Sequence, residues 1–271
     1  KNGEYEKAKE VFNKVLTIDP FHQLTLLALA EMEYKSGLYE NAIDFVNRVL
    51  KQDTYHPRAN FQAGTVYRAM NDNINALESL GWAARSLEFR SAAYGQMAEI
   101  YIAQNEFSKA LQYVQKSLDF NRFNINALQA GLIAGRKTMQ AIIIENYKNE
   151  LYDIDPLNHV SRFEKYLANQ SESSKKDFLD GFQNELPEQN ILEIGVYYAN
   201  LSLTEESALA FDVIPKNVVA NIWSAYLMPI KVQKYLEEAV AQSADYVFPF
   251  RRETIAALES AVKTKPHWKF N

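Results

Sequence analysis

Apolar and polar positions alternate along the first 124 residues as two helical stripes separated by a short break, and the pattern returns every 34 residues. In residues 23–36, Leu26, Leu29, Ala30 and Glu33 share one helical face. A break at Gly37 follows, then a second stripe of Tyr39, Ala42, Val46 and Val49. The next period repeats the plan with Phe61, Gly64, Val66 and Tyr67, a break at Asn71, then Ala76, Leu77 and Leu80. The third has Tyr94, Met97, Ala98 and Tyr101, a break at Asn105, then Ala110, Leu111 and Val114. Apolar positions three and four apart predict amphipathic helices, two per period.

Superposing the periods shows which positions are constrained. The break carries Gly3, Gly37, Asn71 and Asn105, residue types that adopt positive φ at least cost. Five residues on stands alanine each time: Ala8, Ala42, Ala76 and Ala110. A small residue also recurs in the first helix, at Ala30, Gly64 and Ala98, and Pro20 and Pro156 lie four periods apart. Small side chains let two helices cross closely, so these positions set the packing distance. A single helix pair of this length cannot bury its apolar face alone and needs stacked neighbours.

These residue types at these spacings resemble the tetratricopeptide repeat. The resemblance implies an all-α fold, an α-solenoid of stacked antiparallel helix pairs. It covers a half repeat at 1–22, full repeats at 23–56, 57–90 and 91–124, and a divergent one at 125–158, where Met139 replaces the turn residue and Ile144 the alanine. Residues 159–271 are expected to continue as divergent repeats of the same kind. There, Ser173 or Ser174 is expected to cap a helix carrying Phe178 and Phe182. Gly195 and Ser207 take the two small-residue positions, and helices are expected at 218–227 and 232–240. The tail from Val247 through Pro266 and Trp268 also resembles segments of large bacterial proteins in which helical repeats follow a β-rich, carbohydrate-oriented domain.

Composition narrows the chemistry. A net charge of -5 gives no basic footprint for nucleic acid. The absence of cysteine excludes disulfides and thiolate metal sites, and no apolar run reaches membrane-helix length. His22, His56, His159 and His267 are dispersed without metal-ligand spacing and read as loop residues. Asp153 and Asp155 match the aspartate before Pro20, so helix termination explains them better than cation binding. Adjacent acids such as Glu31 and Glu33, or Glu237 and Glu238, point to different helix faces, and two-carboxylate catalysis needs them convergent. Tyr67, Tyr94 and Tyr101 sit at core spacing. No cofactor and no catalytic constellation is expected.

First helices line the inner surface of such a stack. The repeat register places Leu27, Glu31 and Tyr34, then Arg58, Phe61, Gln62, Thr65 and Arg68, then Gln96 and Glu99, then Gln129 and Arg136 there. Arginine beside aromatic and amide groups is an interface mixture. Arg58 and Arg68 share a face and are expected to grip carboxylates of an extended peptide. Family members that clamp a chaperone's C-terminal carboxylate use Lys, Asn and Arg at positions held here by Leu27, Glu31, Gln62, Ala92 and Gln96, so that clamp is absent. The function expected is a noncatalytic protein-interaction scaffold with a concave groove, a segment of a larger bacterial protein, cytoplasmic or periplasmic. The alternative is a helical accessory region of a carbohydrate-active enzyme. Self-association through uncapped ends is a further expectation.

Overall fold

A computed structural model describes residues 2–182, 186–242 and 251–264. The chain divides into two compact units, residues 1–138 and 139–271.

The first unit holds helices α1 (Asn2–Ile18), α2 (Gln23–Lys35), α3 (Tyr39–Leu50), α4 (Pro57–Ala69), α5 (Asn73–Ala83), α6 (Arg90–Ala103), α7 (Phe107–Leu118) and α8 (Ile125–Lys137). Each helix packs on its successor, and α2, α4, α6 and α8 also touch in sequence as one layer. The all-α, paired-helix fold is therefore as expected.

The turns obey one rule. Gly37 (φ 78°), Asn71 (60°) and Asn105 (61°) are left-handed. The amide after each reaches back five residues to close the preceding helix: Leu38 to Glu33 O at 2.9 Å, Asp72 to Tyr67 O at 2.9 Å and Glu106 to Tyr101 O at 2.8 Å. Ala42, Ala76 and Ala110 are fully buried. Close crossing is measurable at Gly64, where an added Cβ would lie 2.6 Å from Leu80 Cγ. The first half repeat departs from the pattern: Gly3 lies within α1 instead of in a turn, and Ala8 is half-buried.

Junctions between repeats share a second device. Asp19, Asp53 and Asn121 each accept through Oδ1 from the amide two residues on, at Phe21 (3.0 Å), Tyr55 (3.1 Å) and Phe123 (3.1 Å). The next residue caps the following helix. His56 Nδ1 accepts from Ala59 N at 3.2 Å, His22 Nδ1 from Thr25 N at 3.4 Å, and Asn124 Oδ1 from Ala127 N at 3.2 Å. These two histidines are thus N-caps, a role that spacing had not suggested.

The second unit holds α9 (Ala141–Ile154), α10 (His159–Ala168), α11 (Glu172–Asp180), α12 (Pro187–Asn200), α13 (Thr204–Phe211), α14 (Val218–Leu227), a 3-10 turn (Pro229–Lys231), α15 (Val232–Val240) and α16 (Thr254–Thr264). The repeat logic resumes at α12 and α13. Ser202 has φ 57°, Leu203 N closes on Tyr198 O at 3.0 Å, and Ser207 is fully buried five residues after the turn. Ser207 Oγ donates to Gly195 O at 2.7 Å, and a Cβ on Gly195 would lie 2.2 Å from Phe211. Met139 holds φ 56°, so the turn survives the loss of its usual residue type. Asp155 Oδ1 accepts from Leu157 N at 3.2 Å, which accounts for that aspartate as a turn residue. The cap of α11 is Ser171, with Ser174 completing a capping box, in place of the Ser173 or Ser174 cap expected.

The core of this unit is aromatic. Phe163 packs on Phe178 (5.4 Å) and Tyr198 (5.2 Å), and Tyr198 Oη donates at 2.6 Å to the buried carboxylate of Glu164. Trp223 Nε1 donates to Thr254 Oγ1 at 3.2 Å and ties α14 to α16. Residues 243–250 and 265–271, which carry most of the tail resemblance together with Pro266 and His267, lie outside the described residues.

Candidate functional site

The exposed faces of α2 and α4 enclose a groove of about 320 Å³, lined by Ala30, Glu31, Tyr34, Lys35, Arg58, Phe61, Gln62, Thr65, Val66 and Phe89. Six of the nine residues expected at the site line it: Glu31, Tyr34, Arg58, Phe61, Gln62 and Thr65. They converge because the two helices are the first helices of adjacent repeats, touching side by side.

The floor is apolar and the rim charged. Phe61 packs on Phe89 at 5.1 Å, and Val66 and Ala30 lie beneath as core residues. Along the rim, Lys35 Nζ binds Glu31 Oε1 at 2.6 Å, and Arg58 Nη2 stands 3.9 Å from Glu31 Oε2. That arginine is half-exposed and only loosely held. Gln62 Nε2 donates to Leu27 O at 3.2 Å, while its Oε1 is buried without a partner among the described residues.

The other three expected residues act differently. Gln96 Nε2 donates to Thr65 Oγ1 at 3.0 Å, stitching α6 to α4. Arg68 Nη1 binds the Glu99 carboxylate, and Glu99 is buried, so neither is displayed as a free charge. Leu27, expected at the surface, is only 1% exposed and belongs to the core cluster with Leu26, Val46 and Ala63. Spacing missed Phe89 and Lys35. Phe89 comes from the loop before α6, which no helical register reaches, whereas Lys35 stands four residues after Glu31 and was legible as an ion pair.

Of the paired acids, Glu31 faces the groove, and Glu33 is buried against Lys9 at 2.5 Å with Asn41 Nδ2 at 3.3 Å. The hydrogen bond from Lys9 to Glu33 raises the Lys9 pKa, against the lowering by desolvation. Tyr101 is a core residue packed on Tyr113 at 5.0 Å, and burial pushes its pKa up. In the second unit, burial and then the nearby Arg162 guanidinium lower the His159 pKa, and its ring stacks on Phe182 at 4.9 Å. Among the described residues no group of three His, Asp or Glu could hold a metal, and no helix is long and apolar enough to cross a membrane.

Comparison with known proteins agrees with the fold. Residues 91–124 match the tetratricopeptide repeat family model, and residues 1–102 match the model of the TT21 fifth ARM repeats domain. No curated protein matches the chain. Among solved structures, a tetratricopeptide repeat protein from Parabacteroides merdae is similar over 88% of this chain and 93% of its own, at 14% identity and a TM-score of 0.61. PilF of Pseudomonas aeruginosa is similar over 70% of this chain and 89% of its own, at 18% identity and TM-score 0.59. MamA is similar over 57% and 91%, at 22% identity and TM-score 0.52.

Proposed function

Because the chain carries tetratricopeptide repeats, we propose that its first unit is a noncatalytic interaction scaffold whose α2/α4 groove takes an extended peptide. The observation that carries this reading is the pairing of an apolar floor, Phe61, Phe89 and Val66, with a charged rim of Glu31, Lys35 and Arg58. An apolar anchor side chain fills the floor, and flanking charges are read by the rim. Arg58, held only at 3.9 Å, is free to turn to a ligand carboxylate. The reading extends to a segment of a larger bacterial protein; the Asn- and Tyr-rich composition bears on the bacterial source alone. Exposed Ile18, Phe21 and Leu24 support self-association of this unit, which light scattering would detect.

The test is selection of peptides from a displayed random library against the protein, followed by titration of the selected sequences. Phe61→Ala and Arg58→Glu are expected to weaken binding. Peptides that bind both variants as tightly as the wild type would refute the groove assignment. Arg68→Glu is a poor probe, because it also removes the partner of a buried carboxylate.

A further inference from the structure

The junction between α5 and α6 breaks the repeat rule, and at that break the surface changes character. Leu87 stands where the other junctions have Asp19, Asp53, Asn121 and Asp155, so the side-chain turn is missing. Arg90 occupies the position of the caps His22, His56 and Asn124 and closes the loop in another way. Its Nε donates to Ala84 O at 2.8 Å and its Nη2 to Arg85 O at 2.9 Å. Beside this staple lies a hollow of about 270 Å³ lined by Tyr55, Pro57, Trp82, Arg85 and Ser86.

The chemistry of the hollow is one-sided. The Trp82 ring meets Tyr55 at 4.6 Å and 50°, and the Arg85 guanidinium lies over the indole, 4.1 Å from its centroid. Tyr55 is 62% exposed. Neither the indole N–H, the guanidinium, the Tyr55 hydroxyl nor the Ser86 hydroxyl has a hydrogen-bond partner among the described residues. The carbonyls of Ala84 and Arg85 are already used by Arg90. The site therefore offers two groups that can only donate, the indole N–H and the guanidinium, together with two hydroxyls and a touching aromatic pair.

We propose that the hollow formed by Tyr55, Trp82 and Arg85 is a second binding site, taking an acidic, proline-containing peptide segment in the polyproline II conformation. Proline has no N–H, and polyproline II carbonyls have no internal partners, so such a segment presents acceptors without matching donors. Aromatic-lined grooves recognise it in this way. A pyrrolidine ring packs on the exposed Tyr55 ring, which is tilted 50° from the indole it touches. Arg85 lies over the indole and has no carboxylate partner among the described residues, so it selects a carboxylate beside the proline.

The test is calorimetric titration of the whole chain with a synthetic peptide of proline and glutamate. Controls are the same peptide with alanine for proline, the same peptide with lysine for glutamate, and oligothymidylate. Binding is expected for the first alone. Trp82→Phe keeps the ring, removes the indole donor and is expected to weaken affinity about tenfold. Arg85→Glu, at an exposed position, is expected to bring it below detection. No binding by the wild type, equal binding by Arg85→Glu, or preference for the alanine peptide, the lysine peptide or oligothymidylate would overturn the proposal.

Discussion

Arg68 donates from Nη1 to the carboxylate of Glu99, 31 residues further along the chain, and joins α4 to α6 through a buried charge. The pair lies beside the α2/α4 groove but belongs to the scaffold that holds it. Removing the guanidinium leaves a carboxylate in a poorly solvated place, so Arg68→Ala is expected to destabilise the first unit by about 3 kcal/mol. The urea midpoint would fall accordingly. Pairing it with Glu99→Gln should recover most of the loss, a non-additivity that a double-mutant cycle measures.

Two glycines should respond in opposite directions to the same change. A methyl on Gly64 meets Leu80 Cγ at 2.6 Å, whereas Gly81 has nothing within 4 Å. Gly64→Ala therefore overpacks the crossing of α4 and α5, at a cost of about 1–3 kcal/mol that exceeds its helix-propensity gain. Gly81→Ala, on the exposed face of α5, is expected to stabilise by about 0.5–1 kcal/mol. Thermal melts of both variants check the pair, and equal shifts would contradict the close-crossing account.

Ser202 adopts φ 57° between α12 and α13, a conformation that disfavours any side chain. Ser202→Gly removes that strain and is expected to raise stability by up to about 1 kcal/mol, while Ser202→Val lowers it. The relevant readout is protection of the α12–α13 amides in hydrogen exchange.

His56 caps α4 by accepting from Ala59 N through Nδ1. Asparagine performs the same task at Asn124. His56→Asn is thus expected to be near neutral, and His56→Ala to cost about 1 kcal/mol. Equal denaturation midpoints for the two variants would remove the capping role.

His159 supplies the pH dependence. Its folded pKa is held below the ordinary 6.5, first by burial and then by Arg162. The unfolded chain therefore binds the proton more readily, and the stability linked to His159 is complete above about 6.5 and lost as pH falls through the lower folded value. Asp155 and Glu193 act against this lowering without cancelling it. His159→Gln should flatten the pH dependence of the denaturation midpoint below neutrality. An unchanged profile would count against the assignment.

Much of the site was legible because a repeat writes its inner face at fixed offsets. Glu31, Tyr34, Arg58, Phe61, Gln62 and Thr65 follow from helical register alone. Glu99 did not, since a carboxylate on an apolar stripe looks the same in sequence whether it meets water or an arginine. Leu27 was placed by register on the inner surface, and the approach of Val46, Val49 and Ala63 put it in the core.

The sequence by itself determined the helix pairs, the left-handed turns at Gly37, Asn71 and Asn105, and the alanines that let helices cross closely. Those features depend on backbone sterics and side-chain size within a few residues, and the pattern carries them intact. Tertiary structure alone decided that Phe89 completes the groove floor, that Arg68 is spent on Glu99, and that Tyr55 meets Trp82. Those pairings join residues about 27 to 31 positions apart, brought together only when one repeat stacks on the next and buries what neither can bury alone.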